Sequence, residues 1–259
     1  MRNDKLKIFG ERNTGTTVLK KIIQANSSTT CYGGTAGQFD KYVSYKVKIL
    51  KLLSPTIAEI YLDYCFRNKG LNESWKHTAT LFDSPNFVQN VSYLFLVRDP
   101  RSWILSMYKT RYNLGLRKTD DIKFNEFINK KFIPNKRDNL GLEPLRLLDL
   151  YNKKIASYVI FENQLKADKI DYNYLNFEKL VLSQREAFLQ IKHLLIYPKN
   201  NFSEYAPSTK TKNKDAKFYQ SYYAEKKWIE ELADNMISIE DQVDWATFNK
   251  FGYFQGEFQ

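Results

Sequence analysis

Short, almost continuous hydrophobic runs along this chain alternate with longer stretches whose apolar side chains recur every three or four positions. Lys5–Phe9 predicts a short strand, and Val91–Val97 a longer one. In the latter Tyr93, Leu94, Phe95, Leu96 and Val97 are all apolar, as expected for a parallel strand covered on both faces. Ile170–Phe177 predicts a third strand, and Glu73–Thr78 a short strand or strand end. Helical spacing begins at Val18–Ile23 and returns over Val43–Leu53 and Ile57–Phe66, which Pro55 separates. It recurs from Ser102 to Tyr108, over Glu143–Leu165 (Leu148, Tyr151, Ile155, Tyr158), through Ser183–Leu195 and over Lys214–Leu232. Thr110–Asn139 is polar, basic and irregular, and reads as an excursion or lid. Tyr197–Lys214 reads as a loop. Strands alternating with helices predict an α/β fold with a mainly parallel sheet. Such sheets bind ligands at the carboxyl ends of their strands, and both Gly10 and Arg98 fall there.

The strand at Lys5–Phe9 runs into a turn, Gly10 to Thr17, that opens a helix. A strand, a tight turn and a helix N-terminus make an anion site, because free N–H groups and the helix dipole favour negative charge. Gly15 permits close backbone approach, Thr14, Thr16 and Thr17 supply hydroxyls, and Arg12 supplies a permanent charge. An ordinary strand-to-helix turn with hydroxyl caps is the plainer reading. The turn is not the nucleoside-triphosphate loop. Gly10 and Gly15 have its separation, but Thr16 stands where that loop needs Lys.

A second segment places Arg98 where the apolar strand emerges, followed by Asp99 and Pro100, with Ser106 eight residues on. If the turn folds the helix back, Arg98 and Ser106 reach one phosphate, the Arg as a planar fork and the Ser as a hydroxyl. An Arg paired to a neighbouring acid is the alternative. In a third segment, Lys76 and His77 follow the polar turn Asn68–Asn72. A His there can act as a general base, or simply be structural. His193, in a helical run, reads as structural.

Composition narrows the partners. With 259 residues and 43% hydrophobic side chains, the chain suits one domain of ordinary size, with Tyr and Phe at 18 each supplying much of the packing. A net charge of +11 favours acidic partners. No apolar stretch approaches the ~18 residues of a transmembrane helix, and no signal peptide is visible. Cys31 and Cys65 read as free thiols in a reducing compartment. Neither a metal-ligand spacing nor a nucleic-acid motif is present in the sequence.

Taken together, the turn with Arg12 to Thr17, the Lys76–His77 pair, and Arg98 through Ser106 to Tyr108 resemble the sulfotransferases that use 3′-phosphoadenosine 5′-phosphosulfate (PAPS). The likeness is greatest to bacterial carbohydrate sulfotransferases. Leu175–Leu180 and Phe251–Tyr253 resemble later family segments. The resemblance implies a single domain over 1–259 with a three-layer α/β/α, P-loop-like sulfotransferase fold, and acceptor-binding or lid excursions around 38–70 and 110–140. It implies that Arg12, Asn13, Thr14, Gly15, Thr16 and Thr17 hold the 5′-phosphosulfate and that Arg98 and Ser106 hold the 3′-phosphate. His77 would take the acceptor's proton, with Lys76 or Arg12 neutralising charge at the sulfuryl group. Many relatives carry Lys where this chain has Asn13, so one of those two cations must replace it. Lys210 and Lys212 are candidates for a late basic loop over the nucleotide. The expected product is 3′,5′-adenosine bisphosphate (PAP), the acceptor a carbohydrate or glycolipid hydroxyl, the location cytoplasmic, and no metal is expected. Two other classes compete. A P-loop nucleotide or small-molecule kinase would need magnesium and the missing Lys. A non-enzymatic basic binding protein would account for the charge but not for the paired motifs.

Overall fold

The computed structural model describes residues 5–32, 34, 41–66, 75–80, 91–110, 121–207 and 214–257. In chain order the first half contains β1 (Lys5–Phe9), α1 (Thr16–Asn26), β2 (Thr30–Tyr32), α2 (Lys41–Leu53), α3 (Pro55–Phe66), β3 (Val91–Val97), α4 (Pro100–Lys109), α5 (Phe124–Asn129) and β4 (Lys131–Phe132). The second half contains β5 (Leu145–Arg146), α6 (Leu147–Ala167), β6 (Tyr172–Asn176), α7 (Phe177–Leu182), α8 (Gln184–Ile191), α9 (Ala216–Ala224), α10 (Lys227–Glu230), α11 (Met236–Glu240) and α12 (Trp245–Phe248).

The protein is α/β, with a central four-stranded parallel sheet in the order β2-β1-β3-β6. The two-residue period of a strand sorts the core onto both faces. Phe9, Val91, Tyr93, Phe95 and Val97 enter one cluster with α4 and α6. Leu6, Ile8, Leu94 and Leu96 enter another with α1 and α8. Lys5 pairs with Val91 and Phe9 with Phe95, so the alternation of β1 and β3 is in phase. From β1 the chain turns outward to β2 on one side, then returns to β3 on the other. The carboxyl ends of β1 and β3 therefore flank the switch point where such sheets open a crevice.

Several sequence expectations shift. The described part of the Glu73–Thr78 segment is a turn, not a strand. Its groups bond to the turn after β1 and within the segment instead of in a ladder, with Gly10 N–H donating to the Lys76 carbonyl at 3.0 Å and Thr78 N–H to the Trp75 carbonyl at 3.1 Å. Of the expected excursion at 110–139, residues 121–139 hold α5, β4 and a turn at Lys136–Asp138, and bury Phe127 and Ile128 completely. The helix expected from Glu143 starts at Leu147, because Leu145 and Arg146 pair antiparallel with Phe132 and Lys131. The helix expected over Lys214–Leu232 breaks at Lys226, whose φ of 52° is left-handed. Among the described residues, no helix is long and apolar enough to cross a membrane.

Candidate functional site

The turn after β1 is held from within. Thr14 donates its hydroxyl to the Glu11 carbonyl at 2.7 Å, and Asn13 and Gly15 both adopt positive φ (64° and 84°). The first amide of α1 bonded to a carbonyl of the turn is that of Leu19, on Gly15 at 3.0 Å, so the amides of Thr16, Thr17 and Val18 have no helical partner. No side chain caps this end and no acid sits in its first turn. An uncapped N-terminus without a carboxylate leaves the positive end of the helix dipole for an external anion.

Arg98 leaves the end of β3 with its backbone fixed by Tyr151, which accepts from its N–H at 3.0 Å and donates to its carbonyl at 2.9 Å. Its guanidinium donates to the Ser102 hydroxyl (2.9 Å), the Ser102 carbonyl (2.8 Å), the Asn13 carbonyl (2.6 Å) and Tyr223 Oη. It lies 4.3 Å over the Phe177 ring. Every one of those partners is neutral, and among the described residues no carboxylate pairs with it. The neighbouring acids are engaged elsewhere. Asp99 grips Arg101 at 2.8 Å, and Glu178 accepts from Tyr253 Oη at 2.5 Å and Ser102 Oγ at 3.1 Å. Burial, aided by Asp99, pushes the Glu178 carboxyl above its usual range.

Arg98, Ser106, Asn13 and Gly15 line a single open cleft. Phe177, Leu180, Val181 and Tyr219 form its apolar wall. Asp215 also borders it, with a side-chain oxygen occupied by the Phe218 N–H at 2.9 Å. Asn13 fastens the turn to α4: its side-chain amide donates to Thr110 Oγ1 at 2.6 Å and to the Ser106 carbonyl at 3.3 Å. Lys210 and Lys212 lie outside the described residues; Pro207 and Asp215, on either side of them, line the cleft.

The third segment meets the same turn. Lys76 Nζ donates to the Thr17 hydroxyl at 3.2 Å. His77 Nδ1 bonds to the Gly10 carbonyl, which can only accept, so the proton is on Nδ1 and Nε2 carries a lone pair. The ring is buried and packs edge-on to Trp75 at 4.8 Å. Burial first, then Lys76 and Arg12, pushes its pKa well below the ordinary histidine value, so the imidazole is neutral at pH 7. His193 is exposed in a short 3₁₀ turn.

Arg12 is held beneath the turn. Its guanidinium pairs with Glu11 at 2.9 Å and Asp138 at 3.3 Å, and its carbonyl accepts from Trp103 Nε1 at 2.8 Å. Lys154, wholly buried on α6, completes a square of two cations and two carboxylates through Glu11 Oε2 and Asp138 Oδ1, the latter at 3.0 Å. Those cations hold the Asp138 carboxyl far below its usual range despite burial. A second cavity opens on this side, bordered by Glu11, Arg12, Glu59, Trp103, Ile133 and Asp138 among others. Sequence reading passed over Glu11, Asp138, Lys154 and Tyr223. One signal was present: Lys154 interrupts the apolar stripe of Leu150, Tyr151, Ile155 and Tyr158, where an unpaired charge would be costly.

Among the described residues, no three His, Cys, Asp or Glu side chains cluster to hold a metal. Compared with known protein families and with curated proteins, the chain matches none.

Proposed function

We propose that the protein transfers a sulfuryl group from PAPS to a hydroxyl acceptor, using a single domain of P-loop-like sulfotransferase fold. One observation carries the reading. Arg98, a buried cation whose described partners are all neutral, opens into the same cleft as the uncapped N-terminus of α1. Two separate anion-binding elements around one cleft suit a ligand charged at both ends, and the apolar wall of Phe177, Leu180 and Tyr219 in the same cleft suits a purine. Thr16 stands where a triphosphate site needs Lys, which favours this reading over a kinase.

Each residue then has a role. The amides of Thr16 to Val18 and the Thr17 hydroxyl hold the 5′ end, with Lys76 close enough to neutralise charge there. Arg98 and Ser106 hold the 3′-phosphate. His77 Nε2, already unprotonated, receives the acceptor's proton. When bound, PAPS supplies the activated sulfuryl group, and the protein contributes position and charge. Between Lys76 and Arg12, Lys76 is the better counter-charge, since the Arg12 guanidinium is directed at Glu11 and Asp138. A hydroxyl of a carbohydrate or glycolipid is the proposed acceptor.

The test is a transfer assay with labelled PAPS against polysaccharide, glycolipid and phenol acceptors, alongside calorimetry with PAP. Label transfer without magnesium, and PAP binding that AMP does not match, are the expected results. Magnesium-dependent ATP turnover without PAP affinity would establish a kinase instead. DNA binding with steep salt dependence and no nucleotide affinity would establish a basic binding protein.

A further inference from the structure

The helices α2 and α3 are apolar on two opposite sides, and among the described residues only one side is covered. Val43 and Val47 of α2 and Leu62 and Phe66 of α3 pack inward, against Trp75. Opposite them, Tyr42, Tyr45, Ile49, Leu52 and Leu53 of α2 fall at i, i+3, i+7, i+10 and i+11, and all are exposed. Ile57, Ile60 and Tyr64 of α3 repeat the i, i+3, i+7 spacing and are exposed as well. Leu52 is 87% exposed and Tyr64 71%. Isolated exposed apolar side chains are ordinary, but an exposed apolar stripe on each of two helices that pack together marks an interaction surface.

Charge on the hairpin is sorted in the same way. The α2 sequence has lysines and no acid, with Lys46, Lys48 and Lys51 exposed along its length. The acids of α3 are drawn to another part of the molecule: Asp63 pairs with Arg137 Nη1 at 2.6 Å, and Glu59 with its Nη2. What remains beside the apolar stripes is positive, with tyrosines whose rings are apolar and whose hydroxyls are polar, as at a membrane–water interface.

We propose that the outer face of the α2–α3 hairpin docks on an anionic lipid surface. A bilayer carrying acidic headgroups meets both halves of the pattern: Ile49, Leu52, Ile57 and Ile60 enter the headgroup–acyl boundary while the flanking lysines remain at the phosphates. A second copy of the chain meets only one. A two-fold dimer through this face brings the same lysine-rich helix from each protomer to one interface, where like charges repel. Thr56 and Glu59, on the same hairpin, border the second cavity together with the exposed Ile133, so docking brings that opening close to the lipid headgroups.

The experiment is vesicle flotation of the full chain without any nucleotide, so its outcome is separate from that of the transfer assay. Phosphatidylcholine vesicles, with and without one third phosphatidylglycerol, are the probes. The protein is expected to float only with the phosphatidylglycerol vesicles, and less so at high salt. Substituting Leu52→Gln, Ile57→Gln and Tyr64→Gln together leaves the net charge unchanged and should abolish flotation. Lys46→Gln, Lys48→Gln and Lys51→Gln should each weaken partitioning about fivefold. Lys21→Gln with Lys192→Gln, on and just beyond the helices of the α1–α8 layer, should leave it as it was. All the substituted side chains of the hairpin are exposed, and Leu52→Gln alone serves if the triple variant melts early. Failure to float, flotation undiminished by the apolar substitutions, or equal loss in the Lys21/Lys192 variant would overturn the proposal. So would a stable dimer in sedimentation that the apolar substitutions dissociate, without any vesicle binding.

Discussion

The Arg98 guanidinium donates through Nη1 to the main-chain carbonyl of Asn13, 2.6 Å away. This bond joins the carboxyl end of β3 to the turn after β1, so the cation of one motif and the backbone of the other form adjoining walls of one cleft. Ser102, Tyr223 and Phe177 fix the cation from the remaining sides, and Tyr151 fixes its backbone. A guanidinium so oriented loses little entropy on meeting a phosphate.

Arg98→Ala is therefore expected to weaken PAP binding by about 1.5–3 kcal/mol, the scale of a hydrogen bond to a charged group. Adenosine 5′-phosphosulfate, which lacks the 3′-phosphate, should lose far less. Titration calorimetry with both nucleotides decides the matter. Equal losses would make Arg98 a strut of the turn and nothing more.

Gly15 carries two constraints that substitution separates. Its φ is 84°, and a Cβ there would lie 2.9 Å from the Phe177 ring. Gly141 has nearly the same φ, 81°, with open space around it. Gly141→Ala should therefore cost only the left-handed backbone strain, about 1–2 kcal/mol. Gly15→Ala should cost more and also reduce PAP affinity, because Phe177 lines the cleft proposed to hold the nucleotide. Urea unfolding of both variants, with Phe177→Leu as partial rescue of Gly15→Ala, tests the difference.

Lys154→Met removes one corner of the buried square and leaves Glu11 and Asp138 sharing Arg12 alone. Breaking a buried ion pair from one side typically costs about 3–5 kcal/mol, because the remaining charge stays buried. Adding Glu11→Gln removes the stranded charge and should restore part of the loss. A double variant no more stable than Lys154→Met in denaturant unfolding would mean that the square is not an energetic unit.

What was legible in the sequence had a local cause. The almost continuous apolar run at Val91–Val97 announced a strand covered on both faces, and Gly10–Thr17 announced a strand-to-helix turn, since periodicity and turn residues act over a few positions. The meeting of Lys76 with Thr17, and of His77 with Gly10, spans 59 and 67 residues of chain, and no local pattern encodes it. The Glu11–Arg12–Asp138–Lys154 square draws on three separate parts of the chain for the same reason. Residues 121–139 look irregular because their polar surface dilutes the apolar period, yet Phe127 and Ile128 reach the core. In α9 and α10 the aromatic stripe suggested one helix, and the left-handed Lys226 divides it in two.

His77 links stability and the proposed turnover through one proton. In the folded chain its pKa lies well below the ordinary value, from burial and then from Lys76, Arg12 and Lys154; in the unfolded chain it is near 6.5. Between those two values only the unfolded chain takes up the proton, so the free energy of unfolding rises with pH there, by at most about 1.4 kcal/mol per unit. The contribution is fully present above about pH 6.5 and is lost as pH falls toward the folded value. His77→Gln should flatten that slope, and the difference between the two proteins isolates it from carboxylates that titrate at lower pH. In the transfer assay, His77→Ala is expected to lower turnover by about 10²–10⁴-fold while PAP affinity stays nearly intact. Because the native ring is already neutral, turnover should show no ionisation near pH 6.5. A turnover profile with an acid limb at that pH, or a matching collapse of PAP binding in His77→Ala, would remove His77 from the role of base.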